Sequence, residues 1–361
     1  MGVDHSIGFI KLAHFSVKEY LISQYVQNHA VKQIRHFGFS EELSHTVISQ
    51  VCLAYLLRFH TCEPLDMNVD ICFPLAKYAA RHWIIHAHSG IKIKSQSSLG
   101  FPLMMKLLTE ENPAFVNWVR LGDIDDYNFW DLQKERFKIA KPLYYASIAG
   151  LTEASYALLE MGADADAQGG KYGYALQAAS YGGHEAIVKL LIETGADVNA
   201  QGFYGNALYS ASWRGHEAIA KLLIEKGADV NVQGGEDGNA LQAVSYGGNE
   251  AIAKLLIEKG ANVNAQGGFY GSALQAASLR GQEAIAKLLI EKGADVNAQG
   301  GFYGNSLLAA SHGGCEAIAK LLIENGADVN AQGEQYGNAL LAALHGGHEA
   351  IAKLLIEKGQ M

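Results

Sequence analysis

The chain has 361 residues, 49% of them apolar and 18% charged, with a formal net charge of −9 at pH 7. No run approaches the ~18 apolar residues of a membrane span, and four cysteines without close pairing suit a reducing cytosol rather than a disulfide scaffold. The acidity is one-sided: residues 1–141 hold 15 Lys+Arg against 14 Asp+Glu, residues 142–361 hold 13 against 23, and no basic stripe appears, so nucleic acid is excluded as a partner.

Two domains are the natural expectation at this length. In residues 1–24 (1-24), Phe9 to Phe15 reads as a short strand. Ser16 then caps a helix with Glu19 three residues on, the pattern of a capping box. The order His14, Ser16, Glu19-Tyr20-Leu21 resembles the end of the winged-helix segment that follows the nucleotide-binding module of NACHT-type, STAND-class receptors. That resemblance implies a nucleotide-sensing role for His14. The chain contains no Gly-x-x-x-x-Gly-Lys-Ser/Thr loop to cradle phosphates. By the resemblance, either this is a piece of a longer receptor or only the sensor end is kept.

Residues 25–141 (25-141) read as a helical spacer. Glu41 to His60 has an amphipathic pattern that places Leu43, Val47, Val51, Ala54 and Leu57 on the buried face. Pro74 opens a second helix ending near Gly90, and Ile91 to Leu99 reads as a surface linker. Phe101 to Thr109, Pro113 to Leu121 and about Tyr127 to Lys138 follow as helices. The stretches Phe73 to Ala80 and Asn117 to Leu121 are similar to the spacer between NACHT and ankyrin blocks in fungal receptor-like proteins.

From residue 142 (142-361) the chain repeats itself. A Gly-Ala-Asp or closely similar anchor begins at Gly162, Gly195, Gly227, Gly260, Gly293 and Gly326, at intervals of 33, 32, 33, 33 and 33, with Gly359 one interval further on. A fixed period in this range marks a repeat solenoid. Within one unit Asn206 stands as an N-cap before a short helix of small residues, and Gly215 ends it. Ile219, Leu222 and Leu223 make the buried stripe of a second helix, which Gly227 closes in the left-handed conformation. Glu217 and Lys221 form an i,i+4 pair that recurs in the units from Glu185 to Lys353.

Gly183 to Ala200, GHEAIVKLLIETGADVNA, resembles the ankyrin repeat nearly letter for letter. The resemblance implies an all-α fold, an ankyrin-repeat solenoid of seven units preceded by the helical region with its winged-helix remnant. The first unit is degenerate, with Ala165-Asp166 in place of Val-Asn. The last unit ends abruptly, which would leave a face open for self-association. One departure stands out: the family's Thr-Pro-Leu-His reads Asn-Ala-Leu-Tyr at Asn206–Tyr209 and Asn-Ala-Leu-Gln at Asn239–Gln242. The usual Thr–His hydrogen bonds are therefore replaced or absent.

Chemistry-bearing motifs are sparse. His82, His86 and His88 share helical spacing but lack the third and fourth ligands zinc requires, so no metal is expected. No Gly-x-Ser-x-Gly elbow is present, and no catalysis or cofactor is expected. His184, His216 and His348 occupy one repeat column with a structural role in the ankyrin family.

The informative columns are those where the repeats disagree. One reads Tyr181, Trp213, Tyr246, Leu279, His312 and His345, and the next places arginine at Arg214 and Arg280. A third, at the loop tips, reads Lys171, Phe203, Glu236, Phe269, Phe302 and Gln335. In ankyrin proteins these columns line a concave groove. Aromatic and arginine side chains are the types favoured at interface hot spots. Six positions at a helix-packing distance of roughly 10 Å span on the order of 50 Å, a groove for a protein segment. The expected function is non-catalytic protein binding by the sensing arm of a cytoplasmic receptor. The alternative is a nucleotide-regulated switch whose NTPase domain lies outside this chain.

Overall fold

The computed structural model describes residues 2–4, 9–11, 41–60, 65, 68–89, 99–125, 131–234, 238–333 and 335–359. His14 and the segment Ser16 to Leu21 lie outside the described residues, as do residues 90–98 and 126–130. The chain divides into two compact units, Met1–Arg136 and Phe137–Met361. Among the described residues no helix is long and apolar enough to cross a membrane.

In the first unit β1 (Gly2–Asp4) pairs antiparallel with β2 (Phe9–Lys11), Val3 opposite Ile10. Among the described residues five helices follow: α1 (Glu41–Leu56), α2 (Val69–Cys72), α3 (Ala76–Ser89), α4 (Gly100–Leu107) and α5 (Pro113–Leu121). Asn112 caps α5 by accepting from Ala114 N, with Pro113 at the first helical position where its missing N–H costs nothing. The core is built around Trp83 and Trp118, whose rings meet edge to face at 5.4 Å. Trp118 Nε1 donates to Ala80 O, and Asn117 Nδ2 donates to Phe59 O.

The expected buried face of α1 is the exposed one. Leu43, Val47 and Val51 are 54%, 49% and 56% exposed, whereas Thr46, Ser49, Cys52, Leu53 and Leu56 are buried. α1 packs on α3, whose inner residues include Ala76, Ala79, Ala80, Trp83 and Ala87, and Ser49 Oγ donates to Trp83 O. The face that meets α3 therefore mixes a hydroxyl that finds a carbonyl with the large apolar Leu53 and Leu56. The helix expected over Tyr127 to Lys138 is also not formed in its described part. Asp131 Oδ1 accepts from Gln133 N, a local bond that competes with helix, and only a 3₁₀ turn at Arg136–Lys138 follows.

His86 of α3 is drawn into the helix pair rather than left on a free face. Its Nδ1 lies 2.6 Å from His45 Nδ1, and its Nε2 lies 2.9 Å from the Tyr78 hydroxyl. Among the described residues no three His, Cys, Asp or Glu converge to hold a metal.

The second unit is a stack of seven helix pairs. The first helices are α6 (Pro142–Ile148), α8 (Ala175–Gly182), α10 (Ala207–Arg214), α12 (Ala240–Gly247), α14 (Ala273–Arg280), α16 (Ser306–Gly313) and α18 (Ala339–His345). Their partners are α7 (Thr152–Glu160), α9 (Glu185–Glu193), α11 (Glu217–Glu225), α13 (Glu250–Glu258), α15 (Glu283–Glu291), α17 (Glu316–Glu324) and α19 (Glu349–Glu357). First helices stack on first helices and second on second, so each pair is covered only by its neighbours. In the last pair Leu341, Leu344 and Ile356 are exposed.

Local chemistry sets each helix end. Asn206 Oδ1 accepts from Tyr209 N, and Asn305 and Asn338 cap their helices the same way. Asn239 and Gln242 form a reciprocal capping box. Gly227 has φ +91° with open space around its Cα, so glycine there serves conformation alone. Gly173 serves packing as well: a Cβ on it would lie 2.5 Å from Gly202 Cα in the next loop. Two of the Glu–Lys pairs close, Glu250–Lys254 and Glu316–Lys320.

Three side-chain ladders replace the absent Thr–His lock. Gln275 Nε2 donates to Ala298, Gly300 and Gly304 carbonyls in the following loop, and Gln242 and Gln177 reach the same region of theirs. His184, His216 and His348 bind the Ile148, Tyr181 and His312 carbonyls of the preceding repeat, and Asn249 and Gln282 fill that column with amides. Asn199, Asn231, Asn264 and Asn297 each donate to the next glycine carbonyl and accept the N–H two residues beyond it. Asp166 of the degenerate first repeat only accepts, from Asp197 N, because a carboxylate has no N–H to give.

Candidate functional site

The hairpin loops between repeats project Phe-Tyr pairs, and the last turns of the first helices present the variable column beside them. Stacking at a fixed repeat distance brings these two rows into ring contact. Trp213 of α10 stacks on Tyr246 of α12 at 4.8 Å and 13°, and Tyr246 meets Tyr270 at 4.7 Å. Tyr270 touches Phe269 edge to face, and Phe269 stacks on Phe302 at 4.9 Å. The Phe302 N–H also donates to Phe269 O, tying adjacent loop tips together. The series continues through Tyr303 and Tyr336 to His312 and His345. At the other end Tyr181 stacks on Tyr172 at 4.3 Å.

The arginines close over this row. The Arg214 guanidinium lies 4.9 Å from the Tyr181 ring and that of Arg280 lies 4.8 Å from Tyr246, each reaching back one repeat. Leu279 occupies its column between Tyr246 and His312, half-buried. Among the described residues, each one selected from the variable columns sits on a first helix or a loop tip. Trp213 and Tyr246 are half-buried, while Phe203, Phe269 and Phe302 are 63%, 43% and 39% exposed. Glu236 lies outside the described residues.

Charge is partitioned across each pair. The seven first helices contain no Asp or Glu and carry Arg214 and Arg280, whereas every second helix from α9 onward is written with glutamate at both ends. Among the helices of the array the acidity therefore belongs to the second of each pair; its remaining acidic residues lie in the loops between repeats.

Sequence reading by variable columns missed Tyr172, Tyr204, Tyr270, Tyr303 and Tyr336, which complete the wall. Their near-constancy made them look structural. It also missed a recess of about 170 Å³ lined by Tyr172, Tyr181, Tyr204, Tyr209 and Trp213, together with Lys171 and Ser210. The available signal was the break of Asn-Ala-Leu-Gln to Asn-Ala-Leu-Tyr at Tyr209.

The repeat geometry agrees with the sequence comparisons. The profile described as "Ankyrin repeats" matches residues 104–202, 143–234, 208–300 and, in a second form, 307–356. The chain belongs to the ankyrin repeat family. The match begins inside the first unit, upstream of Pro142, over α4 and α5. There Asp123 Oδ1 accepts from Asp125 N, the same local turn that Asp164, Asp197 and Asp229 make in the ankyrin array. Among solved structures the chain is similar to one titled "Crystal structure of human ASB11 ankyrin repeat domain", at 26% identity and a TM-score of 0.52, over 60% of this chain and 97% of that one. Among curated proteins it is similar to "Azaphilone pigments biosynthesis cluster protein L" of Monascus ruber, 37% identical over 204 residues. That alignment spans 52% of this chain and 41% of the relative, less than half its length.

The wall carries a titration of its own. Burial first, then His345 and His348, hold the His312 imidazole below its ordinary value of 6.5. His86 in the first unit is lowered likewise, by burial and then by His45 and His82. In the unfolded chain both take up a proton near pH 6.5, and in the folded chain only at lower pH. Between those points the unfolded state binds more protons, so stability falls as pH drops below about 6.5. Calorimetric melting points should therefore decline from pH 7 to pH 5.5. His312→Tyr, which keeps a ring in a column already holding Tyr181 and Tyr246, should flatten the part of that decline belonging to the repeats.

Proposed function

We propose that the repeat array is a non-catalytic binding scaffold that holds a segment of another protein along the aromatic wall. One observation carries this reading: two series of touching rings, Tyr172 with Tyr181 and Tyr204 and then Trp213 through to His345, with Arg214 over Tyr181 and Arg280 over Tyr246, on a face free of acidic helix residues. The Ala, Leu and Ile columns supply most of the core; of the wall rings Tyr172, Tyr209 and Tyr270 are buried with it, while Trp213, Tyr246, Phe203, Phe269 and Phe302 stand partly in solvent. Rigid aromatic surfaces lose little conformational entropy on binding, and Trp, Tyr and Arg dominate interface energetics.

The wider setting is read from resemblance. The resemblance of the His14, Ser16, Glu19-Tyr20-Leu21 pattern is what supports a place as the recognition arm of a NACHT-type receptor in the cytoplasm. Cys52, Cys72 and Cys315, all unpaired thiols, fit a reducing compartment. A nucleotide-binding loop in frame upstream of Met1 in the genome would support that setting, and its absence would count against it.

The wall itself is tested by capture. Chain immobilised on beads is incubated with extract of its source cells beside two double variants, Trp213→Ala with Arg214→Ala and Tyr246→Ala with Phe302→Ala. Proteins retained by the parent chain should be lost by roughly tenfold or more in both variants, with circular dichroism melts unchanged within a few degrees. Equal retention by both variants would remove the wall as the binding surface.

A further inference from the structure

The recess at the start of the wall lies where the array breaks its own pattern. The loop closed by the Gly202–Gly205 bridge is one residue shorter than those closed at Gly267–Gly271 and Gly300–Gly304, which accounts for the single interval of 32. In the same repeat, tyrosine replaces the glutamine that Gln177, Gln242 and Gln275 provide. Those glutamines spend their amides on loop carbonyls. Tyr209 instead lays its ring 6.2 Å from Trp213, nearly parallel, and Ser210 stands where the other repeats have alanine.

Resting on the reading of the wall as a binding surface, we propose that this recess is a socket for one aromatic side chain of the partner, flanked in the partner by acidic residues. Size supports the ring: a cavity of ~150 Å³ takes up benzene, and this one is about 170 Å³. The lining supports it too. Tyr172 and Tyr209 are buried and form the inner wall, while Tyr181, Tyr204 and Trp213 are half-buried and leave the mouth open. A ring entering there gains edge-to-face and stacked contacts with several others.

Charge decides what accompanies the ring. A cage of aromatic faces also suits a quaternary ammonium group. Here, though, the Arg214 guanidinium already covers the Tyr181 face, and among the described residues no acidic one lines the recess. A cation beside the socket with no carboxylate in its lining opposes a second cation and favours carboxylates on either side of an uncharged ring. The acidic tips Glu236 and Asp237 of the following loop lie outside the described residues.

The test uses the full chain and fluorescein-labelled peptides read by anisotropy. The reference peptide is Gly-Asp-Asp-Phe-Asp-Asp-Gly. The comparisons place alanine or trimethyl-lysine at the centre, or change the four aspartates to lysine. The variant is Tyr209→Gln, which restores the residue of the neighbouring repeats and so should fold at least as well as the parent. The phenylalanine peptide with aspartate flanks should bind roughly tenfold or more tighter than each comparison, the scale of burying one ring, and Tyr209→Gln should erase that margin. Absence of binding, equal binding of the alanine peptide, preference for lysine flanks or trimethyl-lysine, or a margin kept by Tyr209→Gln would each overturn the proposal. If Tyr209→Gln retains cellular partners that Tyr246→Ala with Phe302→Ala loses, the socket falls and the wall stands.

Discussion

Replacing Gln242 with alanine is expected to destabilise the repeat array by about 3 kcal/mol, more than any single loss on the wall. Gln242 is fully buried, and its Oε1 accepts from Asn239 N at 2.6 Å while its Nε2 donates to Gly267 O and Gly271 O. The three bonds do not weigh equally. Gly267 is exposed, so its carbonyl can turn to water, and Gly271 O keeps the Gly267 N–H as a donor. The Asn239 N–H is buried with its residue and loses its acceptor, at a cost of about 1–3 kcal/mol. Truncation also removes packing under the loop. Leucine fills the volume, as Leu308 and Leu341 do in this column, and Gln242→Leu should cost about half as much. Urea titration with hydrogen exchange over residues 239–271 reads both. An alanine variant as stable as the leucine variant would show that volume under the loop contributes little.

The second large effect belongs to the first unit. Trp118→Ala is expected to cost about 3–5 kcal/mol, the range for emptying a buried aromatic site. The indole is 1% exposed, meets Trp83 at 5.4 Å and Phe115 at 6.0 Å, and donates to Ala80 O. Trp83 and Phe115 are themselves buried, at 0% and 3% exposure, so they have little freedom to turn into the space it leaves. Amide exchange in α3 and α5 should accelerate by roughly two to four orders of magnitude, the same energy expressed as an opening constant. Trp118→Phe keeps part of the ring and gives up the hydrogen bond, so its effect should be smaller. Protection of α3 and α5 undisturbed by the alanine change would refute the assignment of the two tryptophans as the centre of this core.

The candidate site was half legible. Variation among otherwise uniform repeats pointed to Trp213, Arg214, Tyr246 and Arg280, and the structure brings Trp213, Tyr246 and Arg280 into contact and lays Arg214 over Tyr181. The same criterion passed over the tyrosines at 172, 204, 270, 303 and 336 because they hardly vary. It also passed over Tyr209, whose ring looked like a local exception in a helix start. A side chain can be constant for the fold and still be wall.

The amino-acid sequence alone determined the helix pairs, their caps and their count in the second unit. Each of these is settled within one repeat, by an asparagine that caps, a glycine that turns left-handed and an aliphatic stripe of helical period. Tertiary structure alone decided which face of α1 is buried, that glutamine amides replace the Thr–His lock, and that a shortened loop beside Tyr209 opens a recess. Those outcomes depend on how closely two backbones approach and which side chains then meet, and such distances are set by packing between elements far apart in the chain.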